Sequence, residues 1–388
     1  MLPDKIPQLT AQNRVSLRLG EPDLTTLATE ELRSTIQTIM NSPDCYRGLQ
    51  YGPDEGNQSL ITFLLEKISR EYGIPVGPAN MMLVAGATHA VDMLTRLYAR
   101  PGGVVLIEAP TYADAIHVFR DYQVELYAIP MDNDGLITSE LREQLAQLQS
   151  KGKRPSFLYT VPTFHNPTGT ILCEARRLEV IELARQYGFM IVEDDVYRDL
   201  SFEGPVPTSF YAMARGKQVC SIGSFSKTLA PGLRLGWLLA PEEVIQRCVN
   251  CGTTQMGGGA SPFSAHIVAE YCRSGHWEKH IVQLRSLYRS RRDLMLAALK
   301  RYMPSEVDWT HPNGGFFIWL NLPENISAQH IKHLALQAGV SVATGEAYFL
   351  NPSDGEHYLR LAYSNATADN LETAVRILAQ VVDRLGKQ

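Results

Sequence analysis

Residues 221–237 read Ser-Ile-Gly-Ser-Phe-Ser-Lys-Thr-Leu-Ala-Pro-Gly-Leu-Arg-Leu-Gly-Trp, and they bring a lysine, several hydroxyl groups and an arginine close together in the chain. Lys227 follows an apolar run, and Arg234 comes seven positions later, beyond a Pro-Gly turn. A lysine amine is a nucleophile only when it is neutral, and burial near another cation lowers its pKa toward that form. The stretch therefore predicts a reactive amine beside a basic group.

Two serines of this stretch extend the prediction to a phosphate site. The hydroxyl groups of Ser224 and Ser226 and the paired donors of Arg234 are groups that bind phosphate. Pyridoxal 5'-phosphate carries an aldehyde for the Lys227 amine as well as a phosphate, and its ring acts as an electron sink for carbanion chemistry. We therefore expect this cofactor.

The same stretch closely resembles the lysine motif of fold-type I pyridoxal-phosphate enzymes, in the class I and II aminotransferase group. The resemblance implies that Lys227 holds the cofactor as a Schiff base and then removes the Cα proton of an amino-acid substrate. It also implies a homodimer whose active sites lie at the subunit interface.

Composition and charge argue against several other classes of protein. The chain has 388 residues and a formal net charge of −5, so no general attraction to nucleic acid or to an anionic membrane is expected. No apolar run is long enough to span a membrane, and residues 1–20 lack the apolar core of a signal peptide. We predict a soluble enzyme without a nucleic-acid or membrane partner.

Two clusters of residues are interpreted as structural. Among six cysteines only Cys248 and Cys251 lie close together, without the second pair that a zinc site requires, so no metal site is predicted. Scattered free thiols indicate a reducing, cytoplasmic location.

Four arginines form a basic cluster in a helical repeat, and a solvated helix face is expected for them. These are Arg285, Arg289, Arg291 and Arg292.

From about residue 81, short apolar runs alternate with segments of helical periodicity, such as 90–98 and 178–187. Seven runs are predicted to be buried strands: Met82–Ala85, Val104–Glu108, Val124–Ile129, Phe157–Val161, Met190–Glu193, Val219–Ile222 and Leu235–Leu239. Such alternation predicts an α/β fold, with a mostly parallel seven-stranded sheet that helices cover on both faces. Ligands of such sheets bind at the carboxyl ends of the strands.

After about residue 275 the pattern indicates a smaller α+β domain. A long amphipathic helix is predicted over 277–299, and a closing helix over 371–385. Residues 312–319, Pro-Asn-Gly-Gly-Phe-Phe-Ile-Trp, resemble a strand of the aminoadipate and kynurenine aminotransferase subgroup. Three regions are therefore predicted: an N-terminal arm (1–40) that contributes to the small domain and the substrate side, a large cofactor-binding domain (41–275), and a small C-terminal domain (276–388).

Motifs follow the first two strands of the predicted large sheet. Gly86, Ala87 and Thr88 open a helix, and backbone amides at a helix N-terminus bind phosphate. The motif resembles the family's Gly-Ser turn, but Ala87 lacks the usual hydroxyl, so one phosphate hydrogen bond is lost or is supplied by Thr88. Tyr112 ends the second strand region. In the family an aromatic side chain there stacks on the cofactor ring, and plain core packing is the alternative.

An Asn-Pro-Thr-Gly turn that begins at Asn166 follows the fourth predicted strand. The resemblance implies that Asn166 donates a hydrogen bond to the phenolic oxygen of the cofactor and lies on the substrate side. His165 stands where many relatives have glutamine. We expect a structural or orienting role for His165, although its ordinary pKa would also permit proton transfer.

The fifth predicted strand ends in two aspartates. A carboxylate that pairs with the pyridine nitrogen keeps this nitrogen protonated, and the protonated ring withdraws electrons from the substrate Cα. The family pattern Asp-x-x-Tyr selects Asp194 for this role, with Asp195 as the alternative. The same pattern implies that Tyr197 donates a hydrogen bond to the phenolic oxygen.

Three further residues are assigned by the resemblance. Arg360 corresponds to the arginine that binds the substrate α-carboxylate through two parallel hydrogen bonds. Gly20 belongs to a Gly-x-Pro-Asp segment that passes over the substrate side of the cofactor. Tyr51 corresponds to a tyrosine that reaches the cofactor phosphate of the neighbouring subunit, and the alternative is a loop tyrosine that packs on the following helix.

The leading prediction is an aminotransferase that acts on an L-α-amino acid. Elimination, replacement or cyclisation of a substituted amino acid, for example a hydroxylated arginine, is the serious alternative, with Glu21 and Asp23 as candidate acceptors for a substrate guanidinium. A third hypothesis is a regulator that uses an aminotransferase-like domain as a ligand sensor. It has less support because no basic recognition segment is present.

Overall fold

A computed structural model describes residues 14–27 and 29–387, so residues 1–13 of the predicted N-terminal arm lie outside the described part of the chain. The strands are β1 (Val15–Ser16), β2 (Met81–Val84), β3 (Val104–Ala109), β4 (Glu125–Asp132), β5 (Gly135–Leu136), β6 (Pro155–Thr160), β7 (Met190–Asp194), β8 (Val219–Ser224), β9 (Gly236–Leu239), β10 (Asp308–Trp309), β11 (Phe317–Asn321), β12 (Val340–Ser341), β13 (Ala343–Thr344) and β14 (Tyr358–Ala362).

The α-helices are α1 (Glu30–Met40), α2 (Gln58–Tyr72), α3 (Ala87–Tyr98), α4 (Ala113–Asp121), α5 (Thr138–Ser150), α6 (Glu174–Tyr187), α7 (Phe210–Met213), α8 (Glu242–Val249), α9 (Gly252–Gln255), α10 (Pro262–Arg273), α11 (His276–Tyr302), α12 (Ala328–Gln337) and α13 (Ala368–Gly386). Within the described ranges, no helix has both the length and the apolar composition needed to cross a membrane.

The larger sheet has the strand order β2-β9-β8-β7-β6-β3-β4-β5. Strands β3, β4, β6, β7 and β8 run parallel, whereas β9 is antiparallel to both β2 and β8. All seven predicted strands are present, and the predicted α/β class is confirmed. The sequence analysis missed β5, because its two residues, which pair with Met131 and Asp132 of β4, are too short to show a pattern.

One predicted strand differs in its surroundings. β4 was expected to be buried, but Ile129 is the only buried residue in Glu125–Asp132. The cause is the position of β4 in the sheet. Its outer neighbour β5 covers only Met131 and Asp132, and the rest of that edge has no neighbouring strand in the described part of the chain.

Apolar residues form two core clusters, one on each face of the large sheet. Successive side chains of a strand point to opposite faces, and β6 shows this directly, because Phe157 and Tyr159 belong to one cluster and Leu158 to the other. Helices α3, α4 and α8 contribute to the cluster of Phe157, and α2, α5 and α6 to the cluster of Leu158. The predicted cover of helices on both faces is therefore present.

The smaller sheet is antiparallel, in the order β10-β11-β14-β13. A separate pair joins β1 to β12 in parallel, so that Val15 lies opposite Val340. Helices α11 and α13 pack against each other, and α12 packs against α13. The N-terminal residues from Val15 onward are thereby attached to the C-terminal part of the fold.

The basic cluster on α11 is not a solvated face, and that prediction was wrong for two of its four arginines. Arg291 and Arg292 are buried, whereas Arg289 is exposed. The Arg292 guanidinium donates to the carbonyl of Pro312 at 2.7 Å and binds the carboxylate of Glu203. The sequence could not show this, because the acceptors lie far away in the chain.

A fully buried arginine, Arg177 of α6, holds the loop between β6 and α6. Its guanidinium donates to the carbonyls of Pro162 and Leu172, both at 2.9 Å, at the two ends of this loop. It also lies 3.6 Å from the carboxylate of Glu193, which is equally buried. The loop between these carbonyls carries Asn166, so Arg177 fixes the loop that contributes Asn166 to the predicted site.

We expect Arg177→Met to lower the free energy of unfolding by about 3–5 kcal/mol, because it leaves the buried Glu193 carboxylate without its counter-ion and removes a donor from two buried carbonyls. The matched control is Arg185→Met on the exposed face of the same helix, which should change stability by less than about 0.5 kcal/mol. Chemical denaturation measures both values. Equal effects of the two substitutions would contradict the role assigned to Arg177.

Candidate active site

A cavity of about 310 Å³ lies where β7 and β8 end, beside the N-terminus of α3. The position agrees with the rule that open α/β sheets bind ligands at the carboxyl ends of their strands. Most of the predicted site residues line it: Gly20, Ala87, Thr88, Tyr112, Asn166, Asp194, Tyr197, Ser224, Ser226, Lys227, Arg234 and Arg360. Residues from distant parts of the sequence therefore meet in one place.

Lys227, directly after β8, points its amine into this cavity. Its Nζ donates to the carbonyl of Gly20 at 3.0 Å and lies 5.9 Å from the ring centre of Tyr197. Burial and the nearby guanidinium of Arg360 lower the pKa of Lys227 to about 8, although the carboxylate of Asp194 opposes this shift. A large fraction of the amine is therefore neutral in mildly basic solution, as a nucleophile or base requires.

Asp194 at the end of β7 has one satisfied and one free carboxylate oxygen. Its Oδ2 accepts a hydrogen bond from the Tyr159 hydroxyl at 2.6 Å, whereas Oδ1 is buried and has no partner among the described residues. Burial raises the pKa of Asp194 to about 6, while the Tyr159 hydroxyl and the Lys227 amine act in the opposite direction. The free oxygen is placed to bind a cationic or N–H group of a ligand.

Sequence reasoning missed Tyr159. It lies on β6, where Tyr159 pairs with Val192 of β7, and only this register brings its hydroxyl to Asp194. Burial raises the pKa of Tyr159 well above its ordinary value, so the hydroxyl remains protonated and can donate. In the sequence it is one aromatic residue in an apolar run, which carries no signal for this role.

Asp195 and His165 make contacts outside the cavity. The Asp195 carboxylate accepts a hydrogen bond from Arg198 at 3.1 Å and does not line the cavity. His165 lies with Nε2 at 3.1 Å from the Glu108 carboxylate and Nδ1 at 2.9 Å from the Thr168 hydroxyl. Both His165 and Glu108 are buried, so the imidazole is enclosed by protein and is arranged to orient the turn of Asn166.

The far end of the cavity has the groups expected for phosphate. The first turn of α3 presents the amides of Ala87 and Thr88, and the hydroxyl of Ser224 accepts the amide of Ser226 at 3.1 Å. Arg234 lies against Gly86, where an added Cβ would come within 2.6 Å of Nη2. Gly86 also has a φ of 85°, so a glycine is needed there on two grounds.

Arg360 on β14 is fixed by its neighbours. Its Nη1 donates to the side-chain oxygen of Asn166 at 2.8 Å, and its Nη2 donates to the carbonyl of Arg18 at 2.6 Å. The guanidinium lies 4.2 Å from the ring centre of Phe317. Its Nε is buried and has no partner among the described residues, so the group retains donor capacity for an anion.

Residues 19–21 line the cavity, but one of the groups predicted for the substrate side is already engaged. Asp23 was a candidate acceptor for a substrate guanidinium, and this assignment was wrong, because its buried carboxylate binds Arg291 of the same chain. Burial opposes ionisation of Asp23, but hydrogen bonds from Thr25 and Arg291 prevail and lower its pKa. Glu21 lines the cavity with an exposed side chain.

Tyr51 lies outside this cavity and is 85% exposed. The alternative in which it packs on the following helix is therefore not observed. It lines a separate surface depression together with Gly257 and Pro262. Within one chain, the structure does not bring Tyr51 to the other predicted site residues.

The donor set of the cavity fits pyridoxal phosphate. Lys227 shares the cavity with a carboxylate oxygen of Asp194 that has no partner among the described residues, and with a cluster of hydroxyl, amide and guanidinium donors. The carboxylate suits a protonated pyridine nitrogen, the lysine suits the aldehyde, and the donors suit the phosphate dianion. No group of three or more metal-ligating side chains occurs among residues 14–27 and 29–387.

Comparison with known proteins agrees with this arrangement. The family model described as "Aminotransferase class I and II" matches residues 15–378. The aromatic-amino-acid aminotransferase 1 of Thermococcus litoralis is 34% identical over 95% of this chain and 88% of its own length. The crystal structure of Pyrococcus horikoshii kynurenine aminotransferase, in complex with PMP, superposes with a TM-score of 0.91, at 34% identity over 96% of this chain and 92% of its own.

A relative of another kind shares the same sequence pattern. An uncharacterized HTH-type transcriptional regulator of Bacillus subtilis is 34% identical over 87% of this chain and 68% of its own length. Resemblance to a regulator therefore exists beside the resemblance to enzymes, and the site has to distinguish them. In this chain the cavity holds a buried lysine beside Asp194 and Arg360, which is the set of groups that an aminotransferase requires.

We expect Asp194→Asn to stabilise the cofactor-free protein at pH 8, by roughly 1–3 kcal/mol, because it removes a buried and poorly compensated negative charge. A pKa of about 6 in the fold exceeds the ordinary value of 3.8. The carboxyl therefore favours folding below about pH 4, and this contribution is lost as the pH rises through 6. The gain of the variant should accordingly vanish near pH 4.

The matched control is Asp195→Asn, which removes the buried one of the two carboxylates paired with Arg198 and should lower stability at pH 8. Denaturant unfolding at both pH values, after removal of the cofactor, measures the two variants. A loss of stability in Asp194→Asn at pH 8 would show that its carboxylate is better compensated than the geometry indicates.

Proposed function

The chain belongs to the class I and II aminotransferase family and is a pyridoxal-phosphate-dependent aminotransferase, and we propose that it accepts L-α-amino acids without a second carboxylate and uses Lys227 as the catalytic base. One observation carries the proposal. A single cavity holds a lysine with a pKa of about 8 between the unpartnered oxygen of Asp194 and the guanidinium of Arg360.

In this proposal, bound pyridoxal phosphate supplies an aldehyde that attaches to Lys227 and a ring that withdraws electrons from the substrate Cα. Asp194 pairs with the ring nitrogen, and Tyr159 holds Asp194 in place. Tyr112 stacks on the ring, which adds about 1 kcal/mol beyond area burial. Asn166 and Tyr197 donate to the phenolic oxygen. The phosphate ligands are Gly86, Ala87, Thr88, Ser224, Ser226 and Arg234.

Lys227 performs the proton transfers. Burial and Arg360 keep the pKa of Lys227 low, so once free a large fraction of the amine is neutral in mildly basic solution and can take the proton from the substrate Cα. The protonated amine can then return this proton to another carbon. The Gly20 carbonyl accepts a hydrogen bond from Nζ and orients it within the cavity.

Arg360 binds the substrate α-carboxylate. Its planar fork matches a carboxylate, and its bonds to Asn166 and to the Arg18 carbonyl fix its orientation before substrate enters. Part of the Lys227 pKa shift also comes from Arg360. An incoming carboxylate would offset this positive charge and raise the basicity of the amine.

The preference against a second carboxylate rests on the charges of the cavity wall. Its cations are Lys227, Arg234 and Arg360, and each has a role in the proposal above. The remaining charged residues that line the wall, Glu21 and Asp114, are acidic. A side-chain carboxylate would meet repulsion there, whereas a neutral side chain would not.

Elimination or cyclisation has no specific support. Its proposed acceptor pair is reduced to Glu21, because Asp23 binds Arg291. The enzyme relatives reported above are named as aminotransferases. Transamination is therefore the reaction that we propose.

The decisive measurement adds single L-amino acids to the cofactor-loaded enzyme without any keto acid. We expect one equivalent of keto acid per site and conversion of the cofactor absorbance to that of pyridoxamine phosphate. Phenylalanine or leucine should react at least about 10-fold more efficiently than glutamate or 2-aminoadipate, because the acidic wall repels a second carboxylate. A tenfold preference corresponds to about 1.4 kcal/mol. Absorbance measures the conversion of the cofactor, and a keto-acid assay measures the product released from each amino acid.

The control is Lys227→Ala, which should slow this half-reaction by at least about 100-fold and prevent covalent attachment of the cofactor on borohydride reduction. Many turnovers without pyridoxamine phosphate would overturn transamination in favour of elimination or cyclisation. A cofactor spectrum that is unchanged in Lys227→Ala would overturn the assignment of the lysine.

The proposed assembly is a homodimer in which Tyr51 reaches the phosphate site of the partner. Several large apolar side chains near Tyr51 are exposed in the single chain: Tyr46, Leu49 and Met256 are 58%, 65% and 88% exposed. Apolar side chains clustered in this way favour burial against another protein surface. Arg234 and Thr88 of the phosphate site are also exposed, which leaves room for a group from a second copy.

A hybrid experiment tests this exchange. Lys227→Ala and Tyr51→Ala are each expected to be weak or inactive alone. Random reassociation makes half of the dimers hybrids, and each hybrid has one site with both residues intact, so mixing should restore about a quarter of the wild-type activity. No restoration, with dimers verified by sedimentation, would show that Tyr51 does not act in the partner's site.

The domain boundaries are also proposed, at 1–40, 41–275 and 276–388. All strands of the large sheet lie between residues 81 and 239, and all strands of the small sheet lie between residues 308 and 362. β1 pairs with β12, which supports grouping the N-terminal arm with the small domain.

A cytoplasmic location is proposed because the six cysteines are free thiols, which suits a reducing compartment.

A further inference from the structure

One arginine of the basic cluster on α11 has no part in the chemistry described above. Arg291 is 7% exposed, and its guanidinium binds two acceptors at once, the carboxylate of Asp23 and the main-chain carbonyl of Ser364. Asp23 is 5% exposed, so both charges are removed from water. Burial of two charges is costly unless the geometry is good and further bonds support it.

Such further bonds are present around Asp23. Its amide donates to the Tyr288 hydroxyl at 3.1 Å, and its Oδ1 accepts the amide of Thr25 at 2.7 Å. The Ser364 hydroxyl donates to the carbonyl of Glu21 at 2.6 Å. Residues 21–23 are therefore attached to α11 and to the end of β14, with Arg291 at the centre of the contacts.

The other end of the same segment is held by main-chain bonds. The amide of Leu17 donates to the carbonyl of Ser341, and the carbonyl of Leu17 accepts the amide of Ala362, both at 2.8 Å. Residues 18–22, which we call the roof segment, span the distance between Leu17 and Asp23. Both of its attachments are to C-terminal elements of the fold.

The inner side of the roof segment contacts the two cations of the reaction. The carbonyl of Arg18 accepts a hydrogen bond from Arg360 at 2.6 Å, and the carbonyl of Gly20 accepts one from Lys227 at 3.0 Å. Close packing adds to this, because a Cβ on Gly20 would lie 2.2 Å from the Phe317 ring. A shift of the roof segment would therefore change the volume above both cations.

We propose that Arg291 is a positioning residue which, through Asp23, fixes the roof segment over Lys227 and Arg360 and thereby sets the affinity for the amino-acid substrate. An arginine is required because its planar fork reaches the Asp23 carboxylate and the Ser364 carbonyl together, whereas a lysine offers a single ammonium. Without the guanidinium, the Asp23 carboxylate has no compensating charge in its buried position and moves into water, which draws the roof segment outward.

The kinetic consequence concerns KM more than kcat. Loss of Arg291 lowers the fraction of enzyme molecules in which the roof segment is closed over Lys227 and Arg360. If the substrate binds only to these molecules, its apparent dissociation constant rises by the inverse of that fraction. Once the roof segment has closed, Lys227 and Asp194 are placed as before, because Asp194 ends β7 and Lys227 follows β8, whereas the hydrogen bonds of Arg291 go to Asp23 and Ser364. This kinetic part rests on the proposed function, whereas the fixing of the segment does not.

The test measures hydrogen exchange of the backbone amides in residues 19–23, of which Pro22 has none, in the cofactor-loaded enzyme without substrate, beside steady-state kinetics. The Asp23 amide, which donates to the Tyr288 hydroxyl, is the protected one. Arg291→Met should speed this exchange at least 10-fold and raise KM for the amino acid at least 10-fold, with kcat changed less than 3-fold. The matched control is Arg289→Met, two positions earlier, whose side chain is 54% exposed and lies 3.6 Å from Glu203. It should leave exchange, KM and kcat as in the wild type.

Two further variants separate positioning from general loss of stability. Arg291→Lys should restore only part of the protection, since it reaches one acceptor. Asp23→Asn retains the shape of the side chain, so it remains usable if Arg291→Met does not fold, and it should also speed exchange and raise KM. Combining Asp23→Asn with Arg291→Met should add little to Arg291→Met alone, because both remove the same ion pair.

Different outcomes overturn different claims. If exchange of residues 19–23 in Arg291→Met and Asp23→Asn equals that of Arg289→Met, the positioning role is wrong, whatever the reaction is. If exchange rises but kcat falls with KM unchanged, Arg291 does not control substrate affinity. If exchange rises and no amino acid is converted by the wild type, the proposed function fails while the attachment of the roof segment stands.

Discussion

The rest of the structure depends on the burial of Lys227 in the same small cavity as Asp194 and Arg360. In water a lysine amine is almost entirely protonated at neutral pH, and burial together with the Arg360 guanidinium lowers its pKa to about 8. The same burial raises the pKa of Asp194 to about 6. Both pKa shifts show that the charged form of each group is less stable in the cavity than in water. A bound cofactor can compensate these charges, so the cost is tolerated in the fold.

The protein limits this cost through hydrogen bonds from neighbouring residues. Tyr159 donates to one oxygen of Asp194, and Asn166 accepts a hydrogen bond from Arg360. Carbonyls of the N-terminal segment accept hydrogen bonds from Lys227 and Arg360. Oδ1 of Asp194 and Nε of Arg360 have no partner among the described residues, and these remaining positions define the ligand that fits. The site is thus prepared for an anion, an aldehyde and a protonated ring at three separate points.

Much of the fold was predictable because its signals are local. Seven apolar runs with helical segments between them sufficed for the strands of the large sheet, and the Asn-Pro-Thr-Gly and Asp-x-x-Tyr motifs located Asn166 and Asp194. Predictions went wrong where the partner was remote. Arg291 was expected on a solvated helix face and Asp23 as an acceptor for a substrate guanidinium, because 268 positions of sequence separate the two members of this buried pair. The two-residue strand β5 carries no pattern of its own, and its absence from the prediction left β4 as an apparently buried strand.

The sequence by itself predicted the chemistry of this protein, because the residue types around Lys227 indicate a reactive amine beside phosphate donors, and the resemblance of a short motif to a known family selects the strand-end aspartate. Local periodicity also determined the alternating helices and strands, since amphipathic patterns depend only on neighbours in the chain. The tertiary structure alone decided which charges are free and which are paired. Charge pairing depends on distances of a few ångströms between residues from opposite ends of the chain, and this information exists only after the sheets have packed. For that reason Tyr159 and Arg291 gain their roles from the fold and have no signature in the sequence.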